Sequence, residues 1–400
     1  MQPEQGGQCR LCSRCAMLAA EAQGPHVPPL RGWPRGARVP IALAMMAARR
    51  YAGEDKTMKA LVLQAYKDLV YKDVPGPAIR PDEVLVQVRA CGICGSDVHG
   101  MDGSSGRRIP PIIMGHEAAG VIAEVGTEVT SWQVGDRVTF DSTIYCGKCY
   151  FCRRGEMNLC DNRRVLGVSC DEYRQHGAFA EYVAAPERIL YRLPDGSAFE
   201  EAAMVEALSI AFHAVGRPPV TLGDTAVVVG AGTIGLLVVQ ALRLAGCGQI
   251  FAVDLDERRL ETAQQLGADK GLLAERDDVV AEVQARTHGR GADLAFEVVG
   301  LSVTLNTALS CLRKGGSLVM VGNLAARTEF PLQAAVTREL SLYGSCSSGG
   351  EYPACLDMIA RGAVDVRALI SAVAPLSEGA DWFARLYTRE PGLMKVVLVP

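Results

Sequence analysis

The sequence predicts an α/β protein in two parts, a barrel-like β-rich domain and a doubly wound parallel-sheet domain. Two observations carry this expectation. Between Met58 and Phe140 short β-rich runs alternate with close turns. From Gly223 onward strands alternate with helices, and Gly230-Ala-Gly232-Thr233-Ile234-Gly235 sits where a strand passes into a helix. The length of 400 residues allows two or three domains with substantial cores.

Composition narrows the function. A net charge of -4 offers no basic patch to nucleic acid, and no apolar run is long enough to span a bilayer. With 49% hydrophobic and 22% charged residues the chain is ordinary globular protein, and a small soluble substrate is the default partner. Fourteen cysteines in a short secreted chain would suggest disulfides. In a large enzyme-like chain without a clear signal peptide they point to reduced thiols, metal sites and a cytoplasmic setting.

Residues 1–57 differ from the rest, being rich in Pro, Gly, Ala and Arg, and read as a disordered N-terminal extension. Cys9, Cys12 and Cys15 could bind a metal, but no fourth ligand lies nearby. The apolar run 41–48 is followed by Arg49 and Arg50, the reverse of a signal peptide. A transit peptide and an upstream extension before Met58 both remain open. After Met58 the expected strands are 59–64, 83–89, 118–125 and 137–140, parted by Pro75-Gly76-Pro77, Gly126 and Gly135-Asp136.

Within this β region, Cys91-Gly-Ile-Cys94-Gly-Ser96-Asp97-Val-His99 is followed by Gly115-His116-Glu117. Thiolate, imidazole and carboxylate are the donors a borderline-soft cation such as zinc takes. A lone Cys or His is more often a packed core residue. That reading weakens because Cys146, Cys149, Cys152 and Cys160 follow at C-x2-C-x2-C-x7-C. Four thiolates can close a tetrahedral shell, which defines a structural zinc site with no position left for substrate.

Further along, the glycine fingerprint has its required context. Gly230 permits a tight turn, Gly232 lets a pyrophosphate approach the backbone, and Gly235 lets helix and strand pack closely. The following helix, opened by Thr233 and Ile234, presents its amides to the phosphates. Asp254 ends the next strand 19 residues after Gly235. A carboxylate there accepts from the ribose hydroxyls and repels a 2′-phosphate, favouring NAD over NADP despite Arg258 and Arg259. Val299, Val321 and Gly322 fall at strand C-terminal ends, where an open parallel sheet binds its ligand.

Cys94-Gly-Ser96-Asp97-Val-His99 with Gly115-His116-Glu117 resembles the zinc-dependent medium-chain dehydrogenase/reductase family, in its sorbitol (L-iditol) and threonine dehydrogenase branch. The resemblance runs from about Met58 to the C-terminus. It implies a GroES-like catalytic domain over 58–207, completed by 342–400, with a Rossmann NAD-binding domain inserted over 208–341. It also implies two zinc ions per subunit, a dimer or tetramer, and a role for Glu206 at or beside the catalytic zinc, although Ala207 stands where the branch usually has proline. A basic residue at the position of Arg259 accompanies NAD in the family. Arg338-Glu339 matches a pair near the substrate in the polyol branch, though an ordinary surface ion pair is as good a reading. Gly100 stands where sorbitol dehydrogenases carry an aromatic residue, which implies a wider pocket.

The expected chemistry is oxidation of a secondary alcohol of a polyol. Cys94, His116 and either Glu117 or Glu206 would hold the catalytic zinc, a Lewis acid that lets an alcohol ionise near neutrality. The hydride would go to NAD. Ser96 would hydrogen-bond the substrate oxygen, His99 would carry the proton onward, and Asp97 would orient His116. Threonine, polyol phosphates of the galactitol 1-phosphate kind and butanediol are the alternative substrates. From another class, a non-catalytic NAD-binding protein could keep the fold, but it would have no reason to keep Cys94 and His116.

Overall fold

The computed structural model of the chain describes residues 57–400. Of the expected extension only Thr57 is included, so the Cys9-Cys12-Cys15 triplet and the apolar run 41–48 lie outside the described residues. The first strand, Thr57–Ala65, pairs antiparallel with Asp68–Pro75. Strand Glu83–Gly92 is buried along nearly its whole length. Its Val-Leu-Val-x-Val pattern suits that place, since β-branched residues pack well on a pleated surface covered on both sides.

Glu83–Gly92 is the organising strand of a seven-stranded sheet and pairs antiparallel with Glu117–Val125, Tyr182–Pro186 and Lys395–Val399. The chain therefore returns from its far end to the strand that leads into the cysteine motif. Gly92 faces Glu117 on one side and Val397 on the other. This register brings Lys395, Gly92 and Glu117 into one neighbourhood. Beneath the sheet the rings of Phe179 and Phe383 meet edge to face, their centroids 5.6 Å apart. Both are fully buried, each contributing about 1.5–3 kcal/mol to this core.

The second sheet has six parallel strands in the spatial order Lys270–Leu273, Gln249–Asp254, Thr225–Val229, Ala292–Glu297, Leu312–Met320, Ser341–Gly344. In chain order this is 3-2-1-4-5-6, so the direction of winding reverses between Thr225–Val229 and Ala292–Glu297. A crevice opens at such a reversal, beyond the strand C-termini. Strands this apolar are expected where helices cover both faces, and separate apolar clusters do lie on the two sides. The boundary expected at 341 falls inside the sixth strand. Leu342 and Tyr343 still pair with Leu318 and Val319, so the chain leaves this sheet only after Gly344. Among the described residues no helix is long and apolar enough to cross a membrane.

Candidate active site

Where strand Glu83–Gly92 ends, the chain turns through Cys94 into the short helix Gly95–Gly100. His116 and Glu117 arrive from the neighbouring strand after Gly115, whose φ of +91° and close approach to the Phe179 backbone require glycine. One ligand atom from each of Cys94, His116 and Glu117 lies within 4.8 Å of the other two. Gly92 leaves room for this arrangement, because a Cβ there would collide with the Glu117 carboxylate.

The Glu117 carboxylate is already ion-paired. Lys395 Nζ donates to its Oε2 at 2.6 Å and its Oε1 at 2.8 Å, and to the Ile93 carbonyl at 3.1 Å. Burial works against the Lys395 ammonium, but attraction to Glu117 and then Cys94 outweighs it and raises its pKa. Nothing in the sequence motif marked this lysine, which stands 278 positions away from its partner.

Asp97 is fully buried. Its Oδ2 faces His116 Nδ1 at 3.4 Å, and neither atom has another hydrogen-bond partner. The contact is too poorly aligned to count as a bond, yet two orphan polar atoms facing each other have only one another to satisfy. Burial would raise the Asp97 carboxyl, but attraction to His116 and Arg108 holds it well below the usual carboxylate range. At His116, burial opposes charging, while Asp97 and then Cys94 push the imidazole well above its ordinary value. Ser96 is exposed on the same helix and His99 is half-buried near its end.

Glu206 opens helix Val205–Val215, is buried, and accepts from Ser142 Oγ at 3.1 Å. It lies outside the compact Cys94–His116–Glu117 group but beside it. Burial pushes its carboxyl up to about 7. Gly100 does not widen the pocket as the resemblance implied. A Cβ there would run into the Arg108 side chain, whose stem fills the space.

Cys146, Cys149, Cys152 and Cys160 form the second group, with sulfur atoms within 4.8 Å of one another. The Cys160 sulfur accepts from the backbone N–H of Cys146 at 3.2 Å and of Asn162 at 3.4 Å. Hydrogen bonds from backbone amides, that of Lys148 first, pull the Cys146 thiol down to about 6. Both donor sets fit zinc. The four-sulfur set is closed, and the mixed set leaves a coordination position for a further donor.

At the crevice of the parallel sheet, Gly230 has φ +104° and a Cβ there would lie 2.6 Å from Val299 Cγ2. Gly235 packs against the Gly230 carbonyl too tightly for any side chain. Gly232, by contrast, would meet nothing within 4 Å, so its backbone faces open space in front of helix Thr233–Leu244. Asp254 Oδ2 accepts from Ala231 N at 2.6 Å, and Oδ1 accepts from Leu255 N and Asp256 N. Arg259 lies 4.0 Å from Asp256. The buried Glu297 accepts from Val299 N, Gly300 N and Thr304 Oγ1, and its carbonyl accepts from Val321 N and Gly322 N, tying the last three cofactor-site residues together. An open glycine cradle at a helix N-terminus with a carboxylate on the next strand fits a dinucleotide.

Arg338 is engaged elsewhere. Its guanidinium donates to the carbonyls of Leu309 and Leu312 at the end of helix Ser302–Cys311, so it serves as a helix C-terminal cap and is not brought to the Cys94 cluster.

Comparison with known proteins agrees with this geometry. Residues 80–195 match the alcohol dehydrogenase GroES-like domain, and residues 233–361 match the zinc-binding dehydrogenase family. Sorbitol dehydrogenase of Bacillus subtilis (strain 168) is 34% identical over 350 residues, 86% of this chain and 98% of the relative. L-idonate 5-dehydrogenase of Vitis vinifera is 36% identical over 303 residues, 74% of this chain and 81% of the relative. The crystal structure of a zinc-binding dehydrogenase from Sinorhizobium meliloti 1021 bound to NADP superposes with a TM-score of 0.79 at 30% identity, covering 86% of this chain and 100% of that one. A thiolate, imidazole and carboxylate cluster, a closed four-cysteine lobe and a dinucleotide crevice thus share one chain with relatives of matching length, and the chain belongs to the zinc-dependent medium-chain dehydrogenase/reductase family, in its sorbitol-type branch.

Proposed function

We propose that the protein oxidises a secondary alcohol of a polyol and passes the hydride to NAD. Cys94, His116 and Glu117 would hold the catalytic zinc, and Cys146, Cys149, Cys152 and Cys160 the structural one. The observation that carries this reading is the convergence of those three unlike donors within 4.8 Å. Zinc in such a site supplies a Lewis acid that eases ionisation of an alcohol at neutral pH. The chain's own residues do the rest. Asp97 holds the His116 ring in the tautomer that points its free lone pair away from the carboxylate. Ser96, exposed beside Cys94, meets the substrate oxygen, and His99 takes the proton onward. Glu206 stands beside the site as a buried carboxylate that accepts from Ser142 Oγ.

Asp254 supports NAD as the coenzyme, since its carboxylate stands beside the cradle and would repel a 2′-phosphate. The division into a catalytic part, 58–207 with the C-terminal segment, and an inserted cofactor part is supported by the pairing of Lys395–Val399 with Glu83–Gly92. A homo-oligomer is supported by the edge strand Ser341–Gly344, which leaves Leu342 exposed, and by exposed Leu332 and Val336. No disulfide joins any of the eleven described cysteines, which supports a reducing, cytoplasmic setting.

Initial rates across sugar alcohols, polyol phosphates, threonine and butanediol, with NAD and with NADP, test the proposal. The expected result is NAD-dependent polyol oxidation that disappears on chelation and returns with zinc. Activity indifferent to metal removal would overturn it.

A further inference from the structure

The loop after helix Gly95–Gly100 returns one charged side chain into the protein, Arg108, which is 4% exposed. Its Nε and Nη2 both donate to the same oxygen of Asp97, Oδ1, at 3.1 and 2.8 Å. Nη2 also reaches Ser96 Oγ at 3.4 Å, and Nη1 donates to the Arg107 carbonyl at 3.0 Å. Because the fork closes on Oδ1, Oδ2 is left for His116 Nδ1. Because Arg108 donates to Ser96 Oγ, the serine's own proton is free to point outward, toward a substrate oxygen.

We infer that Arg108 is a positioning residue for the reaction, fixing Asp97 against His116 and fixing Ser96 as a donor, and that Gly100 is glycine in order to admit it. The inference rests on the reading of Cys94, His116 and Glu117 as a zinc site. Two independent observations support it. All the guanidinium's contacts with other side chains go to the residue behind His116 or to the serine beside Cys94, and its one remaining bond goes to the Arg107 carbonyl. Gly100 has no positive φ to explain it, and the space beside it is taken by the Arg108 stem. A point charge could neutralise Asp97, but only a planar fork reaches Asp97 and Ser96 together.

The experiment follows zinc release from the full-length protein into a chelator, alongside kcat and KM, for wild type, Arg108→Met, Arg108→Lys, Arg108→Ala, Gly100→Ala and the Gly100→Ala/Arg108→Ala double variant. In wild type, two zinc ions should leave in separate phases. In Arg108→Met the phase belonging to the mixed-donor site should accelerate and kcat should fall, each by about 10–100-fold, while the four-thiolate phase and NADH binding stay unchanged. Arg108→Lys should restore zinc retention in part but leave kcat low. Gly100→Ala should lower kcat in the Arg108 background and have little further effect in the Arg108→Ala background, which lacks the Cγ that a Cβ at position 100 would strike. Should Arg108→Met fail to fold, Arg108→Lys and Gly100→Ala decide on the same readouts. Unchanged zinc release and kcat in Arg108→Lys and Gly100→Ala, or the same Gly100→Ala loss in both backgrounds, would overturn the inference. A wild-type protein holding only one zinc would instead overturn the reading of the site beneath it.

Discussion

Lys395 Nζ lies 2.6 Å from Glu117 Oε2, deep in the protein, with both groups almost fully excluded from solvent. The ammonium spends its protons on the two carboxylate oxygens and the Ile93 carbonyl, so a lysine that would otherwise be forbidden there is satisfied. In the proposed site the ammonium would compete with the zinc ion for the Glu117 carboxylate, weakening it as a ligand. In chelated, metal-free protein, Lys395→Met should therefore be destabilising by about 3–5 kcal/mol, through an unpaired buried carboxylate. Adding Glu117→Gln should recover most of that loss. Chemical denaturation of the two single variants and the double variant measures the coupling; additive losses would contradict the pairing.

Asp254 bonds Ala231 N and so shapes the glycine cradle, and in the proposed function it also presents its carboxylate to the ribose. Asp254→Ser should weaken NADH binding by about 10–100-fold, the loss of hydrogen bonds to a charged group worth about 1.5–3 kcal/mol. The discrimination against NADPH should narrow at the same time. Fluorescence titration with both reduced coenzymes reads this directly, and an unchanged ratio would remove Asp254 from coenzyme selection.

Asp141 should make stability fall with pH. Burial raises its carboxyl from 3.8 to about 6, although Thr143 N at 2.8 Å and Ser348 Oγ at 3.2 Å donate to it. Between those values the folded chain holds a proton that the unfolded chain has released, so its contribution is full below about pH 4 and is lost as pH rises through about 6. A shift of about two pH units corresponds to about 3 kcal/mol. In chelated, metal-free protein, Asp141→Asn should flatten this dependence and be the more stable of the two at pH 7. Denaturation curves at pH 4.5 and 7 decide it.

The four-cysteine lobe is fastened to the helix that carries Glu206. Asn158 Nδ2 lies 3.3 Å from His213 Nε2 and donates to the Cys346 carbonyl at 2.8 Å, while His213 Nδ1 meets Glu351 at 2.7 Å. Cys152→Ser should remove one of two zinc ions per chain. A loss of about 3 kcal/mol would then lower Tm by roughly 4 °C in a chain of this length. It should also reduce kcat with NADH binding intact, as metal analysis, calorimetry and coenzyme titration can show.

What was legible in the sequence were features carried by neighbours along the chain. Cys94 with His116-Glu117, the C-x2-C-x2-C-x7-C spacing and the glycine turn are short-range patterns, each with its own chemistry. What was not legible depends on chain segments meeting at long range. Lys395 is an unremarkable letter in a C-terminal strand until that strand pairs with Glu83–Gly92. Arg108 reads as one of two loop arginines, and only folding shows that its stem lies against Gly100, where the resemblance implied a wider pocket. Arg338 was misplaced for the same reason. Its pattern matched a substrate pair, but helix Ser302–Cys311 ends close enough to claim its guanidinium.

The most direct test is the zinc content of freshly purified, active protein, counted per chain. The account predicts two ions, one of which is lost from Cys94→Ser together with all activity while the other remains. Full activity in material that carries at most one ion, held by the four cysteines, would contradict it.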